Sequence, residues 1–538
     1  MTRMTGGDAI VETLLRHGID TLFGLPGVQV YGLFDALARN ENRIRLINAR
    51  HEQTTAYMAL GYTCATGRPS AYAVVPGPGV MNTSAALVTA WGLNAPVLCL
   101  TGQVPTALIG KGRGQLHEMP DQLATLRSIV KWAERIEHPA HASHLVARAF
   151  QEMRSGRQGP AALEMAWDQF TATAEVNVSD PLPLHPAPAV DPERIQALAA
   201  AIREAKAPLL WLGSGAVGAG AEIKALAEKI GAPVAAYRTG RGVMDDRHPL
   251  AVTVAAGYRL WPEVDLLVGF GTRLDVPLGR WPQRPGTKVA RIDIDPAEMR
   301  RLKVDLGIVC DARAAAAALL KAVEANGREA WRAQVAAKKA EAAQAIQVVQ
   351  PQMSFLEAIR EAMPEDGILC DEMTQVGYVS WIGFPYYRER TLVTSGFSGT
   401  LGAGFPTALG AKVAHPGRAV VSVVGDGGFL FAGTELATAV QHRINLTTVL
   451  FNNNAYGNVL RDQRRLYAGR DAGSALRNPD FQAFAKSFGV PSWQVKDAKG
   501  LKGALKEALA SDSPTLVEVL TDITKEVEPW QFLAPGRA

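Results

Sequence analysis

VVSVVGDGGFLFAG (Val420–Gly433) and TTVLFNNNAYGN (Thr447–Asn458) are two β-branched apolar runs, each stopping at a polar, glycine-containing turn. Between them TELATAVQHRI sets Leu436, Ala439 and Val440 at helical spacing. The unit reads as strand, helix, strand. Apolar runs on both sides of a helix imply parallel strands buried on both faces. Such a sheet presents its functional groups at the carboxyl ends of its strands. Asp426 and Asn453, 27 residues apart, are therefore expected to emerge side by side.

One carboxylate, one amide oxygen and a nearby backbone carbonyl make a hard, singly charged half-site for Mg²⁺ or Ca²⁺, and Mg²⁺ commonly completes its octahedron with phosphate oxygens and water. Gly425, Gly427 and Gly428 remove side chains where a phosphate would approach backbone N–H groups. The helix that follows adds its N-terminal dipole. Taken singly, each motif also reads as a ligand-free turn, an Asp-Gly turn in one case and an Asn-rich loop in the other. Their joint placement at adjacent strand ends favours the ligand.

GDG, 24 residues and then NN resembles the diphosphate-binding motif of thiamine diphosphate enzymes. Over nearly its full length the chain resembles the acetolactate synthase-like branch of that superfamily. The further matching blocks are FGLPGVQVYGLFDAL (Phe23–Leu37), ARHEQTTAYMALGYTCATGRPS (Ala49–Ser70), VVPGPGVMN (Val74–Asn82), NAPVLCLTGQ (Asn94–Gln103) and TSGFSGTLGAGFPTALGA (Thr394–Ala411). They occur in the family's order.

The resemblance implies a set of site residues. Glu52, in RHEQTTAYMALGY, would hydrogen-bond N1′ of the cofactor's aminopyrimidine, which then removes the proton from thiazolium C2. Burial against an uncharged ring is expected to help Glu52 share that proton. An ordinary first-turn glutamate favoured by the helix dipole is the plainer reading of the residue alone. Leu401 would be the wedge that bends the cofactor, with the Gly399 carbonyl accepting from its 4′-amino group. Asp426, Asn453 and the Ala455 carbonyl would hold Mg²⁺. Thr374 and Gln375 would reach the diphosphate, and Pro26, Gly425, Gly427, Gly428, Tyr456 and Gly457 would also bind the cofactor. Because Glu52 and the metal site fall in different domains, the family's arrangement of active sites across a subunit interface implies a homodimer or homotetramer.

The substrate side departs from acetolactate synthases. Gln29 stands where benzaldehyde lyase has a histidine, and His117 where both enzymes have a glutamine. A neutral imidazole there would relay protons near neutral pH; a loop histidine satisfied by hydrogen bonds is the alternative. Glu118 is a second candidate for that work. Asp462 stands about where acetolactate synthases carry a tryptophan, and Arg461, Arg464 or Arg465 could hold a substrate carboxylate; an exposed basic helix is the plainer reading for most of the three. The implied reaction is attack on a 2-oxo acid, loss of CO₂ and ligation of the remainder to a second carbonyl compound. Decarboxylation, lysis of a 2-hydroxy ketone and a silent cofactor-binding regulatory subunit are the alternatives.

Length and composition agree. The 538 residues suffice for about three domains of ordinary size. With 56 basic and 52 acidic residues spread along the chain, no basic block suggests nucleic acid. No apolar run approaches the roughly 18–20 residues needed to span a bilayer. The N-terminus, MTRMTGGDAIVETLLRHGID, reads as an amphipathic helix rather than a signal peptide, and a cytoplasmic location is expected. Cys64, Cys99, Cys310 and Cys370 are scattered with no C-x-x-C pair, and Cys64, Cys99 and Cys370 lie in apolar surroundings, as reduced core thiols do.

Proline-rich Asn177–Val190 reads as a linker, and Asn326–Met353 as a solvated helix leading into another. These divide the chain into three doubly wound α/β domains with parallel sheets: pyrimidine-binding (1–172), middle (190–325) and diphosphate-binding (350–538). In the middle domain GSGAVG (Gly213–Gly218) fits G-x-G-x-x-G, but the next expected strand, APVAAYRTG, lacks the acid that a nicotinamide site needs. GTRL (Gly271–Leu274) resembles part of a FAD site, which some family members fill and others leave empty or fill with ADP.

Overall fold

The computed structural model describes residues 1–282 and 284–533. The last five residues of the expected third domain lie outside them. Among the described residues the chain builds three six-stranded sheets, each wholly parallel.

The first sheet runs in the order Arg45–Asn48, Thr21–Gly24, Ser70–Val74, Val97–Gln103, Ala161–Ala166, Trp132–Ile136. The third runs Leu392–Val393, Ile368–Cys370, Val420–Gly425, Thr447–Asn452, Thr515–Leu520, Ser492–Val495. Numbered within its own domain, each of these has the strand order 2-1-3-4-6-5, so the two outer domains share a topology. The middle sheet, Ala251–Val252, Val234–Ala236, Pro208–Leu212, Leu266–Phe270, Lys288–Asp293, Leu306–Val309, has the order 3-2-1-4-5-6 of dinucleotide-binding folds. Strands such as Ser70–Val74 and Thr447–Asn452 are buried at every residue, as parallel strands covered on both faces must be.

The first and third domains share one core. Its axis is a helix pair, Glu52–Thr66 against Gly404–Ala414. At Gly61 a Cβ would overlap the Thr407 carbonyl, and at Gly410 the Met58 carbonyl. Two glycines thus let the backbones touch, and Glu52 heads the helix so clamped.

Three expectations are corrected. Residues Thr2–Thr5 are a strand, not part of the N-terminal helix, which spans Gly6–Arg16 behind a Thr5–Asp8 capping box. Their antiparallel partner, Thr173–Val176, lies past residue 172, and only pairing across the chain makes either segment extended. The Ala-rich helix Glu329–Ala345 is not simply solvated. Trp331, Val335 and Ala342 form a buried stripe, and the Trp331 indole donates to the Pro208 carbonyl at 3.1 Å. It packs on the middle-domain helix Val254–Leu260.

Candidate active site

Glu52, Pro26, Gln29 and Gly77–Gly79 follow the carboxyl ends of three adjacent strands of the first sheet. Glu52 is the first residue of its helix, and His51 caps it by accepting from the Gln53 N–H at 3.2 Å. The Asn82 amide donates to Glu52 Oε2 at 3.0 Å, while Oε1 accepts no hydrogen bond among the described residues. Glu52 therefore has one oxygen oriented and one to offer.

Gln29 and His117, 88 residues apart, meet: Gln29 Oε1 lies 3.2 Å from His117 Nδ1. Gln29 is buried, and its Nε2 donates to the Leu116 carbonyl at 2.9 Å, which turns Oε1 toward the imidazole. Nδ1 must then carry the hydrogen, leaving a lone pair on Nε2. His117 itself has φ +64, and its backbone packs where a Cβ on Gly77 would sit. Glu118 is spent on its own loop, accepting from the backbone N–H groups of Gly112 and Gln115.

At the same edge of the third sheet, Asp426 and Asn453 stand at the ends of neighbouring strands. Burial lifts the Asp426 carboxyl above its ordinary value, against hydrogen bonds from the Asn478 amide and the backbone N–H groups of Gly427, Asn454 and Ala455. Asn453 Oδ1 is buried and has no partner among the described residues. No hydrogen bond to the Ala455 carbonyl appears there either. Asn478 Nδ2 lies 2.6 Å from Asp426 Oδ2, 3.0 Å from Asn452 Oδ1 and 3.3 Å from Asn454 Oδ1. One amide nitrogen with two hydrogens thus sits among three oxygens, a point that favours positive charge. Among the described residues no three His, Cys, Asp or Glu side chains gather; the donor set here is one carboxylate with amide and carbonyl oxygens, the composition that suits Mg²⁺.

Two helices, Gln375–Gly383 and Gly457–Leu466, start at this edge and aim their N-termini over it. Thr374 caps the first, accepting from the Gly377 N–H at 2.9 Å and keeping its hydroxyl hydrogen free to donate. The Gln375 amide is engaged by Asn458 and Gln352. The glycines after Asp426 make room for protein as well as ligand: a Cβ on Gly427 would lie 2.5 Å from the Tyr456 ring, and one on Gly428 would overlap the Glu372 carboxyl. Gly399 and Gly402 have φ +59 and +78, left-handed turns on either side of the half-buried Leu401.

Sequence reasoning passed over four polar groups at this site. Asn82 and Asn478 lack a local pattern to mark them. Asp371 and Glu372 follow the strand Ile368–Cys370 and are wholly buried; burial pushes them to about 7 and about 8. Glu372 accepts from the Gly402 N–H, and the Trp381 indole donates to Asp371. The acidic pair in GILCDE was legible as residues but not as a tie between the Gly399–Gly402 loop and the Asp426 turn. Of the three arginines, one of which could hold a substrate carboxylate, each makes an ion pair: Arg461 with Glu526, Arg464 with Asp471 at 2.7 Å, Arg465 with Asp462 at 2.6 Å; Arg464 and Arg465 do so on an exposed face, while Arg461 Nη1 is buried with no hydrogen-bond partner among the described residues.

A separate cavity of about 620 Å³ opens where the middle domain meets the other two, lined among others by Gly213, Ser214, Thr272, Arg273, Asn94 and Phe397. A Cβ on Gly215 would lie 2.7 Å from Gly271 Cα, so GSGAVG packs against the GTRL turn. The strand after GSGAVG ends at Ala236 and is followed by Tyr237 and Arg238, with no acid for a nicotinamide ribose. No helix among the described residues is long and apolar enough to cross a membrane.

Residues 4–125 match the thiamine pyrophosphate enzyme N-terminal TPP binding domain, 195–319 its central domain and 373–519 its C-terminal TPP binding domain. A Pseudomonas aeruginosa protein named probable 2-ketoarginine decarboxylase AruI is 32% identical over 96% of this chain and 94% of its own. The Escherichia coli acetolactate synthase isozyme 1 large subunit is 31% identical over 100% and 97%. The Lactococcus lactis acetolactate synthase large subunit is 31% identical over 98% and 94%.

Proposed function

From the premise that this chain belongs to the thiamine pyrophosphate enzyme family, we propose that it uses thiamine diphosphate and Mg²⁺ to break the C1–C2 bond of a 2-oxo acid and join the remaining fragment to a second carbonyl compound. The observation that carries this reading is the buried Asn453 Oδ1 beside Asp426, without a hydrogen-bond partner among the described residues. A buried acceptor without a donor costs roughly 1–3 kcal/mol, and a cation removes that cost.

Asp426, Asn453 Oδ1 and the Ala455 carbonyl would hold the metal; Thr374 and the N-termini of Gln375–Gly383 and Gly457–Leu466 would receive the diphosphate. When bound, the cofactor supplies a carbon nucleophile and an electron sink. Glu52, steadied by Asn82, holds a proton at the pyrimidine N1′. Leu401, between its two left-handed glycine turns, would serve as the apolar wedge against the cofactor. His117 Nε2, its tautomer set through Gln29, moves a proton at the substrate oxygen or carbon.

Glu52 and Asp426 belong to different sheets, and among the described residues no hydrogen bond or ion pair joins their groups. Large apolar side chains stand exposed at both edges: Leu116 beside His117, Leu430 and Phe431 after the GDG turn, Val459 and Leu466 on the helix after Asn453. A second copy that covered them would bring Glu52 of one chain to the metal of the other, which supports a homodimer or a pair of dimers. The middle cavity and its strand order support FAD as an additional, bound nucleotide.

A second reading, decarboxylation alone, is favoured by His117. Losing CO₂ without ligation requires a proton at carbon, and an imidazole beside Gln29 can deliver it once Nε2 has taken one up from solvent or from the substrate hydroxyl; the relative named as a 2-ketoarginine decarboxylase points the same way. Incubation of the cofactor-loaded protein with pyruvate and with a guanidinium-bearing 2-oxo acid, products identified by mass spectrometry, separates the two. A ligated hydroxy-oxo acid supports the first reading and an aldehyde the second. No turnover of any 2-oxo acid across a broad panel overturns both.

A further inference from the structure

Glu435 lies nine residues after Asp426, at the end of the turn Gly433–Glu435, and is wholly buried. Its carboxylate reaches into the first domain. The Arg50 N–H donates to both oxygens at 3.0 Å, and the His51 N–H to Oε1 at 2.9 Å. The Thr438 hydroxyl donates to Oε2. Arg50 and His51 are the two residues immediately before Glu52.

The following segment grips the rest of the same turn. Asn48 Oδ1 accepts from the Gln441 amide at 2.8 Å and lies 2.8 Å from His442 Nε2. The Arg45 guanidinium donates to the His442 carbonyl at 3.1 Å, and that of Arg50 to Gln441 Oε1 at 2.7 Å. One stretch of the third domain therefore holds the strand end, the turn and the helix start that together aim Glu52.

The choice of a carboxylate is informative. Among the described residues no Lys or Arg side chain pairs with Glu435, so the buried group is held by backbone N–H dipoles and one hydroxyl. Burying a charge is costly unless hydrogen bonds compensate it. An apolar side chain would pack two domains together without that cost. What the carboxylate adds is direction: two oxygens fix two successive peptide planes.

We propose that Glu435 is a positioning residue for Glu52. It acts through the Arg50 and His51 peptides and sets the angle at which the Glu52 carboxyl meets the pyrimidine. The proposal rests on the reading of Glu52 given above.

The test uses the full chain with Glu435→Gln and Glu435→Ala. Glu435→Gln keeps size and offers an N–H₂ where an acceptor is needed. Three quantities are read: amide hydrogen exchange at Arg50 and His51 in the cofactor-free protein, affinity for thiamine diphosphate with Mg²⁺, and the rate of deuterium exchange at cofactor C2. Faster amide exchange is expected, with cofactor affinity within about twofold of the unaltered protein. C2 exchange should slow by roughly 100-fold, the scale of a misplacement of about 1 Å. In a Glu52→Gln background the Glu435 substitution should cause no further loss, because positions that act through one another are not additive. Unchanged C2 exchange in Glu435→Gln, or an equal loss with Glu52 already replaced, overturns the proposal. Should Glu435→Ala fail to fold, Glu435→Gln carries the decision. If the unaltered chain does not bind the cofactor, the functional reading falls and this proposal with it; intact binding with silent Glu435 variants overturns this proposal alone.

Discussion

Replacing Asn453 by alanine sets stability against function. Asn453 Oδ1 is a buried acceptor without a donor, and the side chain donates to no group among the described residues. Its cost to the cofactor-free protein is roughly 1–3 kcal/mol. Asn453→Ala removes that cost and leaves a small gap against Gly457, where a Cβ would lie 2.8 Å from Asn453 Nδ2. With about 1 kcal/mol recovered net, the metal-free variant should melt at the same temperature as the parent or about 2–4 °C higher. With Mg²⁺ and thiamine diphosphate the order reverses. At 100 times its dissociation constant a ligand stabilises the parent by about 2.7 kcal/mol; a variant binding about 100-fold more weakly gains about 0.4 kcal/mol at the same concentration. Thermal unfolding is measured with a chelator, with Mg²⁺ alone, and with Mg²⁺ and cofactor. A metal-free variant destabilised by several degrees, or one stabilised by cofactor as much as the parent, would refute the assignment of Asn453 as a ligand.

The two glycines between the first and third domains should tolerate no side chain. Gly61→Ala and Gly410→Ala each place a methyl group against a backbone carbonyl, costing about 1–3 kcal/mol. A melting temperature lower by several degrees and a loss of activity, since Glu52 heads the displaced helix, are the expected results; parent-like melting would contradict the close helix contact. Glu372 makes stability depend on pH. Its ordinary value is 4.5 and burial raises it to about 8, so between those values the folded chain holds a proton that the unfolded chain has lost. Stability is therefore greatest below the lower value and falls as pH rises through about 8. Glu372→Gln cannot titrate there, and its melting temperature should fall less than the parent's from about pH 6 to 9. Parallel profiles would exclude Glu372 as the source.

The Asp426 and Asn453 strand ends were readable because a parallel βαβ unit writes itself locally: an apolar run, a glycine turn, a helical period, another run. The same pattern exposed the three-layered α/β domains and the helix that starts at Glu52. Two-residue strands such as Leu392–Val393 and Ala251–Val252 were not readable, since so few residues carry no period. The Ala-rich helix at Glu329–Ala345 hid its buried stripe because alanine is tolerated on either face.

Other features were settled only when distant parts of the chain met. Thr2–Thr5 became a strand because Thr173–Val176 lay beside it. Gln29 chose the His117 tautomer from 88 residues away, Asn478 reached Asp426 across 52, and Glu435 reached Arg50 across 385. Local sequence dictates which backbone conformations are cheap and which chemical groups stand at strand ends. A hydrogen bond between two such groups depends on where the folded backbone puts both of them, and no short-range pattern carries that information.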